Sequence, residues 1–390
     1  MENGNIKECK KTIRLFALAS FLNDFGSDII APVWPLFLTE VLKTNMAMLG
    51  FIDGLGDAIV SISQAVSGYI SDRIRKRKVF VWLGYLCGGL SRLGYAVSTS
   101  WQQIIPFRIL DRAGKIRGAP RDAIIADISM RENRGGNFGL LRMMDNLGAV
   151  FGIVTSILLL GFLGYRNLFL LAAIPSVIGV ILIIFFIKEN KPVDSRIYKG
   201  LTFRDLTGNF RLFVLLSAVF ALGSFSYSFL LIFAKQNGFQ PTTVPVLYLV
   251  FAAAASIASI PFGKLSDKIG RKNVLMMSFV FWALVCANAI LFRTDWSIVL
   301  IFILFGLHKG ALEPVQKTFA AELTPAAFRA SGLGGLQMVI GLCALPSSVI
   351  AGLLWDKISI ETPFYLSLGL TVLATVLLMF VKESKPEQPL

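Results

Sequence analysis

Fourteen ionisable side chains lie within or beside the apolar stretches of the first half of the chain. The acids are Asp24, Asp28, Asp53, Asp57, Asp111, Asp122 and Asp145, and the bases are Arg92, Arg108, Arg112, Lys115, Arg117, Arg121 and Arg142. At the centre of a membrane helix each would cost about 2.5–3.5 kcal/mol. So many could not face lipid; they must face a wet cavity or one another. Spacing sorts them. Asp24 and Asp28 are four apart and share a helix face, as do Asp53 and Asp57. Two carboxylates on one face suit a proton carrier, although nearby arginines oppose it. These four acids are the candidate proton-coupling residues. Arg108, Arg112 and Lys115 form a basic stripe. Arg112 and Lys115, with Asp111 beside them, offer donors to an anionic group. In the second half, Glu313 precedes Pro314 near mid-helix and is expected to line a cavity. A bland reading stands beside this one, in which acids and bases only pair across helices and hold the half together.

The remaining polar and aromatic features carry less. His308 is the one histidine, and a lone histidine is more often hydrogen-bonded structure than a proton relay. Phe225, Tyr227, Phe229, Tyr248 and Phe251 could wall a site, but at helical spacing such rings are more often packing.

Composition says what must position these groups. Of 390 residues, 55% are apolar or aromatic and 16% are charged, against about 25% in a soluble domain. Mean hydropathy is +0.68. Too little charge is present to cover a soluble protein of this size, which disfavours a cytosolic enzyme, a disordered chain and a secreted disulfide scaffold. The net charge of +14 falls mostly between apolar runs and reads as membrane topology, not nucleic-acid binding. Cys9, Cys87, Cys286 and Cys343 have no metal or redox spacing and are expected to be reduced thiols. The chain lacks a GxxxxGK[ST] loop and a His/Cys cluster, so no nucleotide, metal or other cofactor is expected.

Spanning helices need about 20 mostly apolar residues. Twelve are predicted, near 14–40, 47–70, 79–99, 102–127, 137–161, 166–187, 210–235, 243–263, 274–292, 296–321, 329–354 and 362–381. A polar basic linker, 188–209, separates residues 1–187 from 210–390. The polar N-terminus lacks the short apolar core of a signal peptide, so the first helix is expected to persist. Lys7, Lys10, Lys11, Arg14, Arg73 to Lys78, Arg131, Arg134, the linker, Lys264 to Lys272, Lys382 and Lys385 fall on one side. Only isolated charges such as Lys43, Arg166, Arg293 and Lys357 fall on the other. Both termini are therefore expected to be cytoplasmic. The halves repeat: GYISDRIRKRK from Gly68 matches GKLSDKIGRKN from Gly263 at an offset of 195, which also carries Asp127 onto Glu322. Two parallel halves suit alternating access around a site near the midplane.

The repeated loop resembles that of the major facilitator superfamily, G-x-x-x-D-R-x-G-R-R/K-R/K. Gly68, Asp72, Arg73, Arg77 and Lys78 match, with Arg75 where a glycine is usual; Gly263, Asp267, Lys268, Gly270, Arg271 and Lys272 match in the second copy. The resemblance covers nearly the whole chain. It implies an all-α integral membrane protein of twelve helices in two six-helix pseudo-symmetric bundles. It also implies a gating latch at Gly68, Asp72, Arg73, Asp127, Gly263, Asp267, Lys268 and Glu322. In that latch Asp127 and Glu322 partner Arg73 and Lys268, and Gly68 and Gly263 let helices approach closely. The fourth helix, D-R-x-G-K-x-x-R-x-x-P-R-D-A from Asp111, looks like a prokaryotic subgroup of the family. Gly148 and Gly152 have close-packing spacing, but Ile153 stands where antiporters of the family often carry proline.

Together these readings predict a multi-pass transporter, not an enzyme, in the inner membrane of a prokaryote. It would act as a monomer, with the bilayer, a small solute and protons as its partners. The basic stripe favours proton-coupled movement of an anionic solute, such as a carboxylate or a carboxylate-type metal chelate. An efflux antiporter for cationic or amphipathic compounds is the main alternative, and a non-transporting sensor of the same fold is a third.

Overall fold

The computed structural model describes residues 2–74, 76–129, 133–187, 207–324 and 329–383; the side chains of 2–8, 68–69, 71–74, 134 and 329–331 lie outside the described residues. The described residues form helices and no strand. The twelve predicted spans are present, several in two pieces. The first is α1 (Glu2–Ile30), a short α2 (Trp34–Leu36) and a π turn, Phe37–Val41. Pro32 and Pro35 explain the break, because proline removes a helical N–H and crowds the preceding turn. The second and third spans are α3 (Met46–Ile74) and α4 (Arg77–Val97). The fourth is α5 (Trp101–Ala113), a 3-10 turn at Gly114–Arg117 and α6 (Gly118–Ile128). The Pro120 ring would crowd the carbonyl of Ile116, inside that turn, so the helix loosens one turn before the proline.

α7 (Arg134–Phe186) supplies the fifth and sixth spans, bent at Gly164, whose φ of 67° is a left-handed conformation that suits glycine. The seventh span is α8 (Gly208–Gly223) and α9 (Tyr227–Gln236); the last five are α10 (Val244–Ile269), α11 (Arg271–Leu291), α12 (Asp295–Leu323), α13 (Arg329–Lys357) and α14 (Thr362–Phe380). Among the described residues eight helical stretches are long and apolar enough to cross a membrane. Those that fall short, α1, α4 and α5–α6, carry most of the intramembrane charges.

The chain forms two compact units, Met1–Thr44 with Ile59–Tyr198 and Pro241–Pro245, and Asn45–Ala58 with Lys199–Gln240 and Val246–Leu390. They differ from the halves of the sequence at two places: the first turns of α3 belong to the second unit, and the 241–245 loop to the first. In the first unit α1 lies against α7 at Gly148 and Gly152, where a Cβ would come within 2.4 Å of the Phe21 and Phe25 carbonyl oxygens. Arg92 of α4 crosses this packing at 2% exposure. It donates to Ala172 O (2.9 Å), Asn23 O (3.1 Å) and Ser27 Oγ (2.7 Å), and to Ser176 Oγ. Gly26 leaves the guanidinium its space, since a Cβ there would stand 2.1 Å from Arg92 Nη1. In the second unit α12 meets α10 at Gly306 and Gly310 in the same close fashion. A ring cluster of Phe225, Trp282 and Phe364 fills the middle, with Trp282 Nε1 donating to Ser367 Oγ at 2.8 Å. Outward side chains such as Phe162, Phe185, Ile257 and Phe380 are exposed and apolar, as a lipid-facing surface requires.

Arg92 is thus a four-acceptor clamp on α1, α4 and the second arm of α7. Arg92→Lys keeps the charge but loses the planar fork. It should lower the stability of the purified protein by about 2–4 kcal/mol, the scale of one or two charged hydrogen bonds, read as a fall in melting temperature. An unchanged melting curve would contradict the clamp.

Candidate functional site

The basic stripe is carried by the last turns of α5 and by the 3-10 turn after it. Arg108 is buried, with its guanidinium 4.5 Å from the centre of the Trp34 ring. Arg117 is buried against Tyr85, 5.0 Å from its ring centre, and donates to Gly114 O at 3.0 Å. Between them Arg112 and Asp111 keep side-chain exposures of 23% and 20%, with Arg112 Nε 3.4 Å from Asp111 Oδ2. Lys115 is half-buried on the 3-10 turn. α1 supplies the facing acids, and Asn23 Nδ2 donates to Asp24 Oδ1 at 2.9 Å. Asp28 lies within electrostatic reach of Asp24, Arg92, Arg112 and Lys115. Lys115 lies within reach of Asp24, Asp111, Arg112 and Arg117. On α4 there is no side chain at Gly88, where a Cβ would meet Asn23 Oδ1 at 3.7 Å and Asp111 Oδ1 at 3.9 Å. The first unit therefore gathers Asp24, Asp28 and Asp111 with Arg92, Arg108, Arg112, Lys115 and Arg117. Five bases meet three acids, and two of the bases, Arg112 and Lys115, keep water access.

The other predicted residues go elsewhere. Asp53 is 3% exposed in the second unit and accepts from Ser226 Oγ at 2.8 Å and from Ser228 Oγ through the same oxygen, Oδ2. Asp57, one turn on, is exposed, so the two acids of α3 share a face but not an environment. Glu313 is exposed on α12 of the second unit. His308 is buried, with Nδ1 2.9 Å from Ser278 O and its ring beside Phe220 and Trp282. Phe225 and Phe229 are packing within the ring cluster. Arg121 binds Ser20 Oγ, Asp122 (3.0 Å) and Asp145 (3.7 Å), a charge network internal to the first unit. Reading charges alone passed over Asn23, Ser226 and Ser228. Asn23 stands beside Asp24 in an apolar run, and that was the available signal; Ser226 and Ser228 have no acid near them in the sequence and reach Asp53 only through the fold.

At the other end of the helices the repeated loop makes one ion-pair pattern twice. Arg77, at the start of α4, donates to Asp127. Arg271, at the start of α11, has Nε 3.1 Å from Glu322 Oε1 and Nη1 2.5 Å from Asp267 Oδ1. The residue that holds Glu322 is Arg271, not Lys268, which is exposed. A Cβ on Gly263 would meet nothing within 4 Å, so the close approach expected there is absent. The side chains of Gly68, Asp72 and Arg73 lie outside the described residues. The structural register also differs from the sequence match by one residue after the acids. Lys78 Nζ donates to Ile184 O at 2.9 Å and Lys272 Nζ to Val381 O at 3.2 Å, so Arg77 corresponds to Arg271 and Lys78 to Lys272. Gly270, at a φ of 98°, turns the second copy in one residue. The first copy has no glycine there and places two residues, 75 and 76, between Ile74 and Arg77. Arg271→Gln would leave two acids without their shared cation. It should cut transport of an identified solute at least about fivefold at unchanged membrane abundance, about 1 kcal/mol; wild-type transport would contradict a latch role for this pair.

Comparisons with known proteins give the family. The family model for the Major Facilitator Superfamily matches residues 16–216 and 211–390. An uncharacterized MFS-type transporter of Methanocaldococcus jannaschii is 36% identical over 388 residues, 97% of each chain. The quinolone resistance protein NorA of Staphylococcus aureus is 25% identical over 390 residues, 94% of this chain and 95% of NorA. The crystal structure of a mutant of the nucleoside transporter NupG matches with a TM-score of 0.79 at 15% identity, covering 95% of this chain and 100% of that one, a likeness of fold alone. With the family matched along nearly its whole length, the chain belongs to the major facilitator superfamily of multi-pass membrane transporters.

Proposed function

We propose that this transporter is a secondary active carrier of a small anionic organic solute, coupled to protons, working as a monomer in the inner membrane of a prokaryote with both termini cytoplasmic. The observation that carries the sign of the solute is Lys115. It is a half-buried ammonium on a mid-span turn, and among the described residues it has no carboxylate within ion-pair distance. A charge kept there at such cost is best explained by a ligand that meets it. Arg112 stands three residues before it and shares Asp111 with the other bases, so one carboxylate of a solute would meet both. Of the remaining bases, Arg92 is saturated by neutral acceptors and Arg108 and Arg117 lie on aromatic rings, which leaves Arg112 and Lys115 as the pair for substrate.

Arg112→Gln and Lys115→Gln should each weaken binding of a carboxylate solute about ten- to a hundredfold, corresponding to about 1.5–3 kcal/mol for a charged hydrogen bond. The check is a binding isotherm on each purified variant beside its melting curve. Unchanged affinity with a lowered melting temperature would assign both residues to the structural network.

Proton coupling is placed on Asp24 and Asp28, which face the bases across the same polar space. Asp53 is tied to two serine hydroxyls in the second unit and is withdrawn from that role, and Asp57, which is exposed, is not proposed for it. Asp28→Asn, and the double variant with Asp24→Asn, should abolish uphill accumulation in proteoliposomes while sparing solute exchange. Uphill accumulation retained in the double variant would move the proton site, with Glu313 next to be tested.

A second reading has support of its own. The printed names of NorA and of the multidrug resistance protein MdtG describe resistance proteins, and this chain is 25% identical to each. Under that reading Asp24 and Asp28 would bind a cationic or amphipathic compound. Affinity lost on replacing Asp24 and kept on replacing Lys115 would select it.

A further inference from the structure

The first turns of α3 are held inside the second unit at two levels, by two carboxylates that have no part in the polar cluster of the first unit. At the rim, Asp356, near the end of α13, accepts from Met46 N (3.1 Å, Oδ1) and Ala47 N (2.8 Å, Oδ2). Asn45 Oδ1 accepts from Met48 N at 2.9 Å. Three of the four N–H groups that every helix start leaves open are thus filled, two of them by a residue about 310 positions away in the chain. Two turns further in, Asp53 accepts from Ser226 and Ser228 at the start of α9, and Ser226 itself caps that helix by accepting from Ser228 N. Between the two levels the backbones nearly touch. A Cβ on Gly50 would come 2.0 Å from Ser348 O, one on Gly54 2.6 Å from Leu345 Cα, and one on Gly352 2.3 Å from Met46 O.

A seam that closes at glycines leaves little side-chain bulk to hold it, and its polar fastenings then decide how readily it parts. We propose that Asp356 and Asp53 form a two-point latch that holds this end of α3 on α13 and α9, and that both must let go before solute can pass at this end of the transporter. By the distribution of Lys and Arg this is the outer end, opposite the Arg77–Asp127 and Arg271–Glu322 pairs. The carboxylates do different work. Asp356 is an exposed helix cap that water can replace in part. Asp53 is buried, and its release strands two hydroxyls. The inference holds whichever solute is carried.

The test places a cysteine in the seam by Ala47→Cys, whose parent side chain is buried. Its reaction with a membrane-impermeant maleimide is followed in proteoliposomes, above the labelling of the chain's own four cysteines. Asp356→Ala and Asp53→Ala should each speed labelling about three- to thirtyfold, the equilibrium shift expected for loss of one cap or buried acceptor. The double variant should exceed either. Asp295→Asn, an exposed acid at the start of α12 away from the seam, should leave the rate alone. Should the alanine variants fail to fold, Asp356→Asn with Asp53→Asn keeps the shape and should still raise the rate at least about threefold. A rate within about twofold of the Ala47→Cys parent in whichever pair folds would overturn the latch.

Discussion

A full positive charge at Arg92, closed off from water and lipid, has to be met by the protein itself, and the way it is met organises the first unit. Two carbonyl oxygens and two serine hydroxyls take its donors. The helices that supply them, α1 and the second arm of α7, are fixed against α4 by that requirement. Glycines follow from it: Gly26 makes room for the guanidinium, and Gly148 and Gly152 let α1 and α7 close around it. Because neutral acceptors satisfy Arg92, its charge is left to raise the positive potential of the nearby cluster. That cluster is then too basic to balance itself, and Lys115 stands within it without a close carboxylate.

The two halves solve their shared constraints differently. Each ties an acid at the end of its fourth helix to an arginine at the start of its third, and each lets a lysine seal the carbonyl end of its sixth. The glycine at position 270 shortens the second loop by one residue, and the ion pair survives the slip because both arginines keep their place at a helix start. The polar interiors are not alike. The first unit holds charges around α5 and its 3-10 turn, while the second is filled by rings, with His308 hydrogen-bonded among them. That asymmetry is why the proposal above puts solute and proton chemistry in the first unit.

Much of the fold was legible in the sequence, because the bilayer imposes length and hydropathy on every span and the loops carry the charge signal. The breaks in the first and fourth spans were partly legible through Pro32, Pro35 and Pro120. The candidate site was legible as a set of residue types, since charges in apolar helices announce themselves. Their partition was not. Asp24 and Asp53 look alike in sequence, each opening a pair four residues apart. Only packing shows that one faces the basic cluster and the other two serines. Nor could spacing reveal that the start of α3 belongs with helices of the second half, or that Arg271 outcompetes Lys268 for Glu322, since both depend on contacts between residues distant in the chain.

On the proposed function, the cluster around Lys115 is built to receive a negative charge. The most direct test is a thermal-shift screen of the purified wild-type protein against matched sets of small carboxylates and small organic cations. Binding to the folded state raises the melting temperature by mass action. Carboxylates should raise it, and raise it less as salt is added, while the cations should leave it unchanged. Stabilisation by the cations, with none by the carboxylates, would contradict the account.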